Sequence, residues 1–508
     1  MAAPELAHIP ESGSGAPAFS WRLAGAVVVA GAGAGLAAAT GLPGLMVGGA
    51  ILTALGLVLV GRRIPTLFLG ALGVLLTGYA FLDKGLAHVG FGVFYVGEVV
   101  LGLGVLALLL SLTRVRISWV EVTIGAFMVW GALRTVPYIG AYGVDAFRDA
   151  VQWGYAFFAL LVMWLVDRAS IEKAVHWFAR IALPLALWLP LAVILTEVFS
   201  GLLPPFPGSD VSLVYTKAGD AGVILAGIAA FVLAGLAPTL SLTSEIFLWS
   251  GWSLTALIVS ALNRGAMIAA ATTIIVALFA RRLMRWVALG AAGTLVLSIA
   301  LIANPAVDIG GQRNLSVQQV VTNALGIVGT SDVRNAETKA WRADWWTTII
   351  NYTVHGSYFW TGKGFGINLA TDDGFQVTAD NSLRAPHSAH FEFLARAGVP
   401  GLTLWILVLA AFLLTVIQGA RRAFRAGDRF LLAVLGWLTV YWVAAVLNMS
   451  VDVYLGGPQG GIPFWCAYGA GIAVARMAGR KEAAADERVH VGPDPARAAH
   501  RPTPPQPV

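Results

Sequence analysis

A few charged residues interrupt an otherwise apolar chain, and three of them are suited to holding a phosphate group. Arg148 lies in YGVDAFRDA, Arg264 in SALNRGA and Arg342 in KAWRADWW. A guanidinium group stays charged and donates paired hydrogen bonds to phosphate oxygens. Arginines that converge near a membrane surface would therefore suit a phosphate or diphosphate headgroup. Lys217 and Asp220, which open another apolar block, are candidate accessory residues.

Two histidines in PHSAHFEF are the candidates for proton transfer. His387 and His390 are three residues apart, so on a helix they would share one face. A neutral imidazole beside a sugar hydroxyl could take its proton, because free imidazole titrates near neutral pH. His387 is thus a candidate catalytic base, and His390 a possible accessory residue. A metal pair is the weaker interpretation, because no third ligand lies nearby and HExxH is absent.

All of these residues also have a structural interpretation. An arginine at the end of a membrane span often only extends to the interface, and a histidine in a loop is more often a hydrogen-bonding surface residue than a base. From the residue types alone, both interpretations stay open.

The composition predicts a membrane protein. Of 508 residues, 58% are hydrophobic and only 12% are charged, whereas a soluble domain has about 25% charged residues. The apolar residues fall in blocks of about 20, the length that crosses a bilayer as a helix. One cysteine excludes an intramolecular disulfide framework. The net charge of +6 does not indicate nucleic-acid binding, and we expect none.

The apolar blocks predict an all-α membrane bundle of about fourteen spans. The clustered Lys and Arg residues then fall in alternate loops, which places both termini in the cytoplasm by the positive-inside rule. The basic clusters begin at Arg62, Arg114, Arg168, Arg281, Arg421 and Arg476. The predicted spans are 23–40, 44–60, 65–82, 94–112, 118–135, 150–167, 181–199, 218–237, 244–261, 265–280, 286–303, 399–418, 429–448 and 459–477.

The longest connection is the segment predicted to carry the site. Residues 304–398 lie on the external side of this topology and are rich in tryptophan, so we predict a folded subdomain with an amphipathic helix over 338–352. Gly362, Gly364 and Gly366 predict a tight turn. The remaining predicted divisions are disordered cytoplasmic tails at 1–22 and 479–508, and membrane bundles at 23–303 and 399–478.

Four motifs resemble the O-antigen ligase family, which includes the repeat-unit polymerases of surface polysaccharides. PHSAHFEFLARAGVPGL resembles the family signature, and KAWRADWW and TGKGFG resemble its Arg-plus-Trp helix and Gly-rich turn. SALNRGAM resembles its Ser-rich element that ends in Arg-Gly. The resemblance extends over roughly residues 210 to 475.

The resemblance implies a metal-independent, inverting glycosyltransferase that needs no cofactor and sits in the bacterial cytoplasmic membrane with its active site outside. Its donor would be a glycan on undecaprenyl diphosphate, and its acceptor a hydroxyl on a lipid, a glycan or a protein, with membrane lipids around it. By position, Arg264 would hold the diphosphate, Arg342 would assist and His387 would activate the acceptor. Arg148 joins them from the physical argument alone.

Two alternatives to a ligase stay open. A repeat-unit polymerase of the same superfamily would need the same donor site. A lipid-linked glycan flippase or secondary transporter would also suit about fourteen spans, but it should show repeated halves with charges near the bilayer midplane. The sequence shows no such repeat, and the unusual polar residues lie on one face, so we favour the enzyme.

Overall fold

A computed structural model describes residues 64–91, 94–110, 115, 117–205, 211–273, 283–303, 307–308, 314–329 and 333–490. The described part is almost entirely helical, which confirms the all-α prediction. The predicted spans 23–40 and 44–60, the tail at 1–22 and the end of span 265–280 lie outside these residues. The chain divides into two compact units, Met1–Phe68 with Leu106–Leu112, and Leu69–Val105 with Thr113–Val508. The described residues of the first unit, 64–68 and 106–110, are helical, and all that follows concerns the second.

Seven helices among the described residues are long and apolar enough to cross a membrane. They are α1 (Ile64–Leu82), α4 (Trp119–Leu133, followed by a 3₁₀ turn at Val136–Tyr138), α8 (Arg168–Val198), α10 (Leu242–Leu262), α12 (Leu283–Ala303), α16 (Ala389–Arg425) and α17 (Arg429–Met449). Three shorter apolar helices are α3 (Val96–Leu110), α7 (Ala156–Leu165) and α9 (Ala218–Leu233).

The remaining elements connect these helices or cover their ends. The helices are α2 (Lys84–Ala87), α5 (Ile139–Tyr142), α6 (Val144–Gly154), α11 (Arg264–Ala271), α13 (Val317–Val328), α14 (Val333–Thr353), α15 (Leu369–Asp372) and α18 (Pro458–His490). A 3₁₀ turn covers Ser200–Leu202. Two antiparallel pairs of two-residue strands are β1 (Gly90–Phe91) with β2 (Phe94–Tyr95), and β3 (Val307–Asp308) with β4 (Asn314–Leu315).

The described residues of the predicted spans from residue 65 onward are mostly helical, although span 150–167 is divided between α6 and α7, and three helices are longer than their apolar runs. α8 begins at Arg168, thirteen residues before the predicted span, because its first turns are amphipathic and bury only Ile171 and Val175. α18 extends to His490, into the predicted disordered tail, because GRKEAAADERVH contains strong helix formers and no proline. The count of fourteen spans and the orientation stay predictions.

Aromatic packing joins the helices that carry the site. Phe127 of α4 contacts Phe393 and Trp405 of α16 with ring centroids 5.2 and 5.7 Å apart. Trp405 in turn packs 6.0 Å from Phe464 and Trp465 of α18. Edge-to-face and tilted ring pairs of this kind add to the stabilisation from burial. They hold the first turns of α16 at a defined position over α4 and α18.

α16 is two helical pieces that meet at Gly398. The backbone there has φ 69°, a left-handed conformation that glycine adopts without a steric penalty. Val399 N donates to the Phe359 carbonyl at 2.8 Å, and a Cβ at Gly398 would lie 2.5 Å from that oxygen. The helix therefore starts ten residues before the predicted span at 399, and its bend coincides with the predicted boundary.

The segment before this bend has its own small core. Trp345 and Ile349 of α14 pack with Leu369, Leu394 and neighbouring alanines. Polar contacts close the core: Trp345 Nε1 donates to Asp373 Oδ2 at 2.7 Å, and Lys363 forms ion pairs with Asp372 and Asp373. α14 contains the helix predicted at 338–352.

Candidate active site

A cavity of about 800 Å³ lies where six separate elements meet. Each element contributes at least one ionisable side chain to its wall. They are Lys84 of α2, Arg148 of α6, Lys217 before α9, Glu337 and Arg342 of α14, Arg384 and His387 before α16, and Asp452 in the loop between α17 and α18. A cavity of this size accommodates a small-molecule substrate of several rings.

His387 faces this cavity from a constrained backbone. Its φ is 53°, a left-handed value that is uncommon outside glycine, and the preceding Pro386 carbonyl accepts from Trp346 Nε1 at 2.9 Å. The helix begins only at Ala389, so the prediction that His387 and His390 share a helical face is wrong. The left-handed residue after a proline prevents the helix from starting earlier. Strain of this kind is concentrated at functional sites.

Asp452 is the acidic partner of His387. The two atoms, His387 Nδ1 and Asp452 Oδ1, are 3.8 Å apart. Val453 N donates to Asp452 Oδ1 at 2.7 Å and Asn263 Nδ2 donates to Oδ2 at 3.2 Å. Burial alone would raise the pKa of Asp452, but His387, Lys217 and the Val453 amide outweigh it and lower the pKa to about 2. Asp452 is therefore a carboxylate at neutral pH.

Arg264 and Arg342 lie close together without enough acceptors. Arg264 is the first residue of α11, whose N-terminus is capped by the Asn263 side chain. Arg342 Nη1 donates to the Val451 carbonyl at 2.9 Å. Among the described residues, the buried Arg264 Nη1 and Arg342 Nε have no hydrogen-bond partner. Burial and the charge of Arg264 lower the pKa of Arg342, while Asp452 opposes them. Two adjacent cations with free donors are suited to an anionic ligand.

Tight packing places Arg264 beside the loop that carries Asp452. A Cβ at Gly265 would lie 2.9 Å from Val451 Cγ2 and 3.2 Å from Asn448 Oδ1. A Cβ at Gly219, in the first turn of α9, would lie 3.0 Å from Asp452 Oδ2. Glycine at both positions lets α9, α11 and this loop approach one another, which explains why a glycine follows Arg264.

Lys217 and Asp220 occupy different positions, although the sequence groups them as accessory residues. Lys217 lines the cavity and donates from Nζ to the Val453 carbonyl at 2.9 Å. Burial would lower the pKa of Lys217, but Asp220, Asp452 and Asp83 together raise it. Asp220 is buried in α9 and does not line the cavity. Lys217 thus supports the Asp452 loop directly, and Asp220 contributes its charge from outside the cavity wall.

His390 does not reach the cavity, because both of its ring nitrogens are engaged. Nδ1 accepts from Trp405 Nε1 at 3.0 Å, so Nε2 carries the proton and donates to Ser450 Oγ at 2.9 Å. Ser450 Oγ donates in turn to the Val446 carbonyl at 2.7 Å. A histidine with neither nitrogen free does not serve as a base. Its contacts instead hold the start of the loop that contains Asp452.

The sequence analysis did not select Asp452, Lys84 or Arg384, all of which line the cavity. For Asp452 a signal was present. It is the acidic residue of the short connection between the last two spans, on the face predicted to carry the basic residues. Lys84 and Arg384 looked like ordinary residues of polar connections. No sequence signal distinguished them from solvated charges.

No group of three His, Cys, Asp or Glu side chains that could hold a metal ion occurs within the part of the chain that the structure describes. Arg342 lines the cavity together with His387, whereas Arg264 is not among the residues of the cavity wall. Arg264 lies close enough to Arg342 for its charge to add to burial in lowering the pKa of Arg342.

Comparison with known families identifies the central part of the chain. Residues 249–406 match a family model described as O-antigen ligase. The match begins in α10 and ends in α16, so it contains Arg264, Arg342 and His387, while Asp452 lies beyond it. The chain matches none of the curated proteins.

Proposed function

We propose that this chain is a multi-pass membrane glycosyltransferase of polysaccharide biosynthesis, because residues 249–406 match a family model described as O-antigen ligase and seven described helices could cross a membrane. It transfers a glycan from an undecaprenyl diphosphate carrier to an acceptor hydroxyl. The reaction takes place at the cavity around His387, on the external face of the bacterial cytoplasmic membrane.

The proposal rests on two features beside the loop that contains Asp452. One is a candidate base, and the other is a pair of arginines that have N–H groups without a hydrogen-bond partner among the described residues. His387 lies 3.8 Å from Asp452, and Arg342 donates to Val451, the residue before it. A glycosyl transfer from a diphosphate needs a base for the incoming hydroxyl and positive charge for the leaving group. Arg342 and His387 line the same cavity, and Arg264 lies beside Arg342, which supports the proposal.

The acceptor hydroxyl gives its proton to His387 Nε2 while its oxygen forms a bond to the anomeric carbon of the donor sugar. Asp452 faces Nδ1, so it stabilises the imidazolium that results and orients the ring. The bond from the anomeric carbon to the diphosphate oxygen breaks, and the diphosphate leaves with the electron pair. Because the hydroxyl attacks opposite the leaving group, the anomeric configuration inverts.

Arg264 and Arg342 bind the diphosphate as its charge increases. Their unpartnered N–H groups can donate new hydrogen bonds to the diphosphate oxygens without breaking existing ones, so little reorganisation is needed in the transition state. The arginines remain charged at every physiological pH. This arrangement is why we expect transfer without a divalent metal ion.

A transfer assay with purified protein in lipid vesicles tests the proposal. Undecaprenyl-diphosphate glycan and candidate acceptors are supplied with EDTA present, and wild type is compared with His387→Ala and Arg264→Ala. The matched controls are His355→Ala and Arg180→Ala, which remove exposed side chains away from the cavity. We expect transfer by wild type and both controls, and none above background by the two site variants.

The acceptor that becomes glycosylated separates the two enzyme classes. A longer glycan on the polyprenyl carrier identifies a polymerase, and a glycan on a different lipid or on a protein identifies a ligase. Equal transfer by the site variants and wild type would refute the residue assignment. Movement of labelled carrier across the bilayer without any glycan transfer would indicate that the protein is a flippase and not an enzyme.

A further inference from the structure

The cations around the cavity form two groups. In the first group, burial and the charges of Arg264 and Asp452 shift the pKa of Arg342. In the second group, burial and the charges of Lys217 and Arg148 shift the pKa of Lys84. Arg384, from the segment before His387, also lines the cavity and belongs to the second group. In the proposed function Arg264 and Arg342 bind the diphosphate, so the second group has no assigned ligand.

Two members of the second group already have partners. Arg384 pairs with Asp145 and Asp149, each at 3.2 Å, and donates to the Gly366 carbonyl at 2.9 Å. The Lys217 ammonium is held by the Val453 carbonyl. These two cations therefore have structural roles.

The positive charges of Lys84 and Arg148 are balanced much less well by nearby carboxylates. No carboxylate lies within 4.0 Å of Lys84 Nζ among the described residues, and the ammonium lies 5.0 Å from the centroid of the Tyr215 ring. Arg148 reaches only Asp145 at 3.7 Å, and Asp145 is already shared with Arg384. Burial, and then the charges of Lys217 and Arg148, lower the pKa of Lys84, while Asp83 and Asp220 oppose them only in part.

The acid next to Lys84 in sequence does not neutralise it. Asp83 is buried, and its Oδ2 accepts from the Lys217 backbone N–H at 2.8 Å. Burial and the nearby Asp220 raise the pKa of Asp83 well above its ordinary value, so Asp83 offsets the positive charge of Lys84 less than an ordinary carboxylate would. The cavity wall at Lys84 and Arg148 thus has excess positive charge.

We propose that Lys84 and Arg148 form a second anion-binding subsite, which holds a carboxylate or phosphate group on one of the two substrates. The inference rests on the proposed function, because it identifies a chemical class for the glycan or the acceptor. Arg148 then binds this group, whereas Arg264 and Arg342 bind the diphosphate.

Substrate pairs that differ by one charge test the subsite. The donors are undecaprenyl-diphosphate glycans that end in a neutral sugar or in the corresponding uronic acid. The acceptors are a neutral glycolipid and its phosphorylated form. We expect wild type to favour the charged member of one pair by about tenfold in kcat/KM, the usual contribution of a charge-assisted hydrogen bond. The pair that shows the preference identifies which substrate carries the anion.

Substitution of the two cations removes the preference if the subsite exists. In Lys84→Gln/Arg148→Gln the ratio of kcat/KM for charged over neutral substrate should fall to about one. Lys173→Gln/Arg180→Gln, on an exposed part of α8, is the matched control and should keep the wild-type ratio. No preference in wild type, or a preference that persists in the double variant, overturns the proposal.

Equilibrium binding of the same substrates separates this proposal from the proposed function. If wild type transfers no glycan, the transferase assignment fails, but affinities for charged and neutral glycans still test the subsite. Tighter binding of a charged member that the double variant loses supports it. Equal affinities of wild type for both members of each pair contradict it.

Discussion

Replacement of Asp452 by asparagine is the sharpest test of the proposed base. At 3.8 Å from His387 Nδ1, a carboxylate attracts an imidazolium by about 4 kcal/mol at an effective dielectric constant of about 20. This attraction develops only when His387 takes the proton, so it lowers the barrier. Solvent at the cavity reduces it, and a loss of about 3 kcal/mol gives a fall of about a hundredfold in kcat/KM for Asp452→Asn.

The same substitution changes the neighbouring hydrogen bonds. Asn263 cannot turn its amide, because its Oδ1 caps α11 by accepting from Gly265 N at 2.7 Å. An asparagine at 452 that still accepts from Val453 N would then point an N–H₂ group at the Asn263 donor. The position of Arg264 is also affected, because it begins the helix that Asn263 caps.

The pH dependence of stability separates the contribution of the negative charge of Asp452 from that of its packing. Its folded pKa of about 2 lies below the ordinary value of 3.8, so the ionised side chain stabilises the fold above the ordinary value, by about 2 kcal/mol. That contribution is lost as the pH falls from about 4 towards 2. The melting temperature of Asp452→Asn should therefore lie below that of wild type at pH 7, and the gap should narrow below pH 4.

The assay is transfer kinetics together with thermal unfolding in detergent. The control is Asp344→Asn, which neutralises an exposed acid on α14 and should match wild type in both. Unchanged kcat/KM in Asp452→Asn would refute the role of Asp452 beside the base. A melting-temperature gap that does not change with pH would refute the charge argument.

Three further substitutions have expected outcomes. Arg264→Lys should reduce kcat/KM by tenfold or more, because an ammonium cannot make paired hydrogen bonds to phosphate; Arg180→Lys is the control, and equal kinetics would contradict the diphosphate role. His390→Phe should lower the melting temperature, since two partners lose a hydrogen bond worth about 1 kcal/mol each. The kcat of this variant should stay within about tenfold of wild type. Complete loss of transfer would show that His390 does more than support the structure. Gly398→Ala should destabilise the protein by about 2 kcal/mol or more, because the added Cβ meets the Phe359 carbonyl at positive φ; Gly290→Ala, which has open space, should not, and equal unfolding temperatures would show that the bend tolerates a side chain.

Apolar run lengths were enough to predict the helical architecture. A run of about 20 apolar residues has few alternatives to a helix in hydrocarbon, and the described residues of the predicted spans from residue 65 onward are mostly helical. Helix ends were less predictable where polar turns continue the helix beyond the membrane. The start of α8 at Arg168 is stabilised by an Asp167 cap that accepts from Ser170 N at 2.8 Å, a local contact that hydropathy does not register.

The candidate site was partly predictable, because unusual cations in an apolar chain stand out. Arg148, Arg342, Lys217 and His387 do line one cavity, although the chemistry assigned to them stays a prediction. The role of His390 was not predictable. It depends on Trp405, 15 residues away, and on Ser450, 60 residues away, and only the folded structure brings those groups to its two nitrogens.

The bend in α16 also relates the site to the thickness of the bilayer. The piece from Val399 to Arg425 has 27 residues (425 − 399 + 1) and is about 40 Å long, whereas the hydrocarbon core is about 30 Å thick. On the predicted topology, with the basic end of the helix at one headgroup layer, the bend would lie near the opposite headgroups, at the level of the phosphates of the proposed carrier. Turnover should therefore depend on lipid chain length, with an optimum at which the cavity and the phosphates are level.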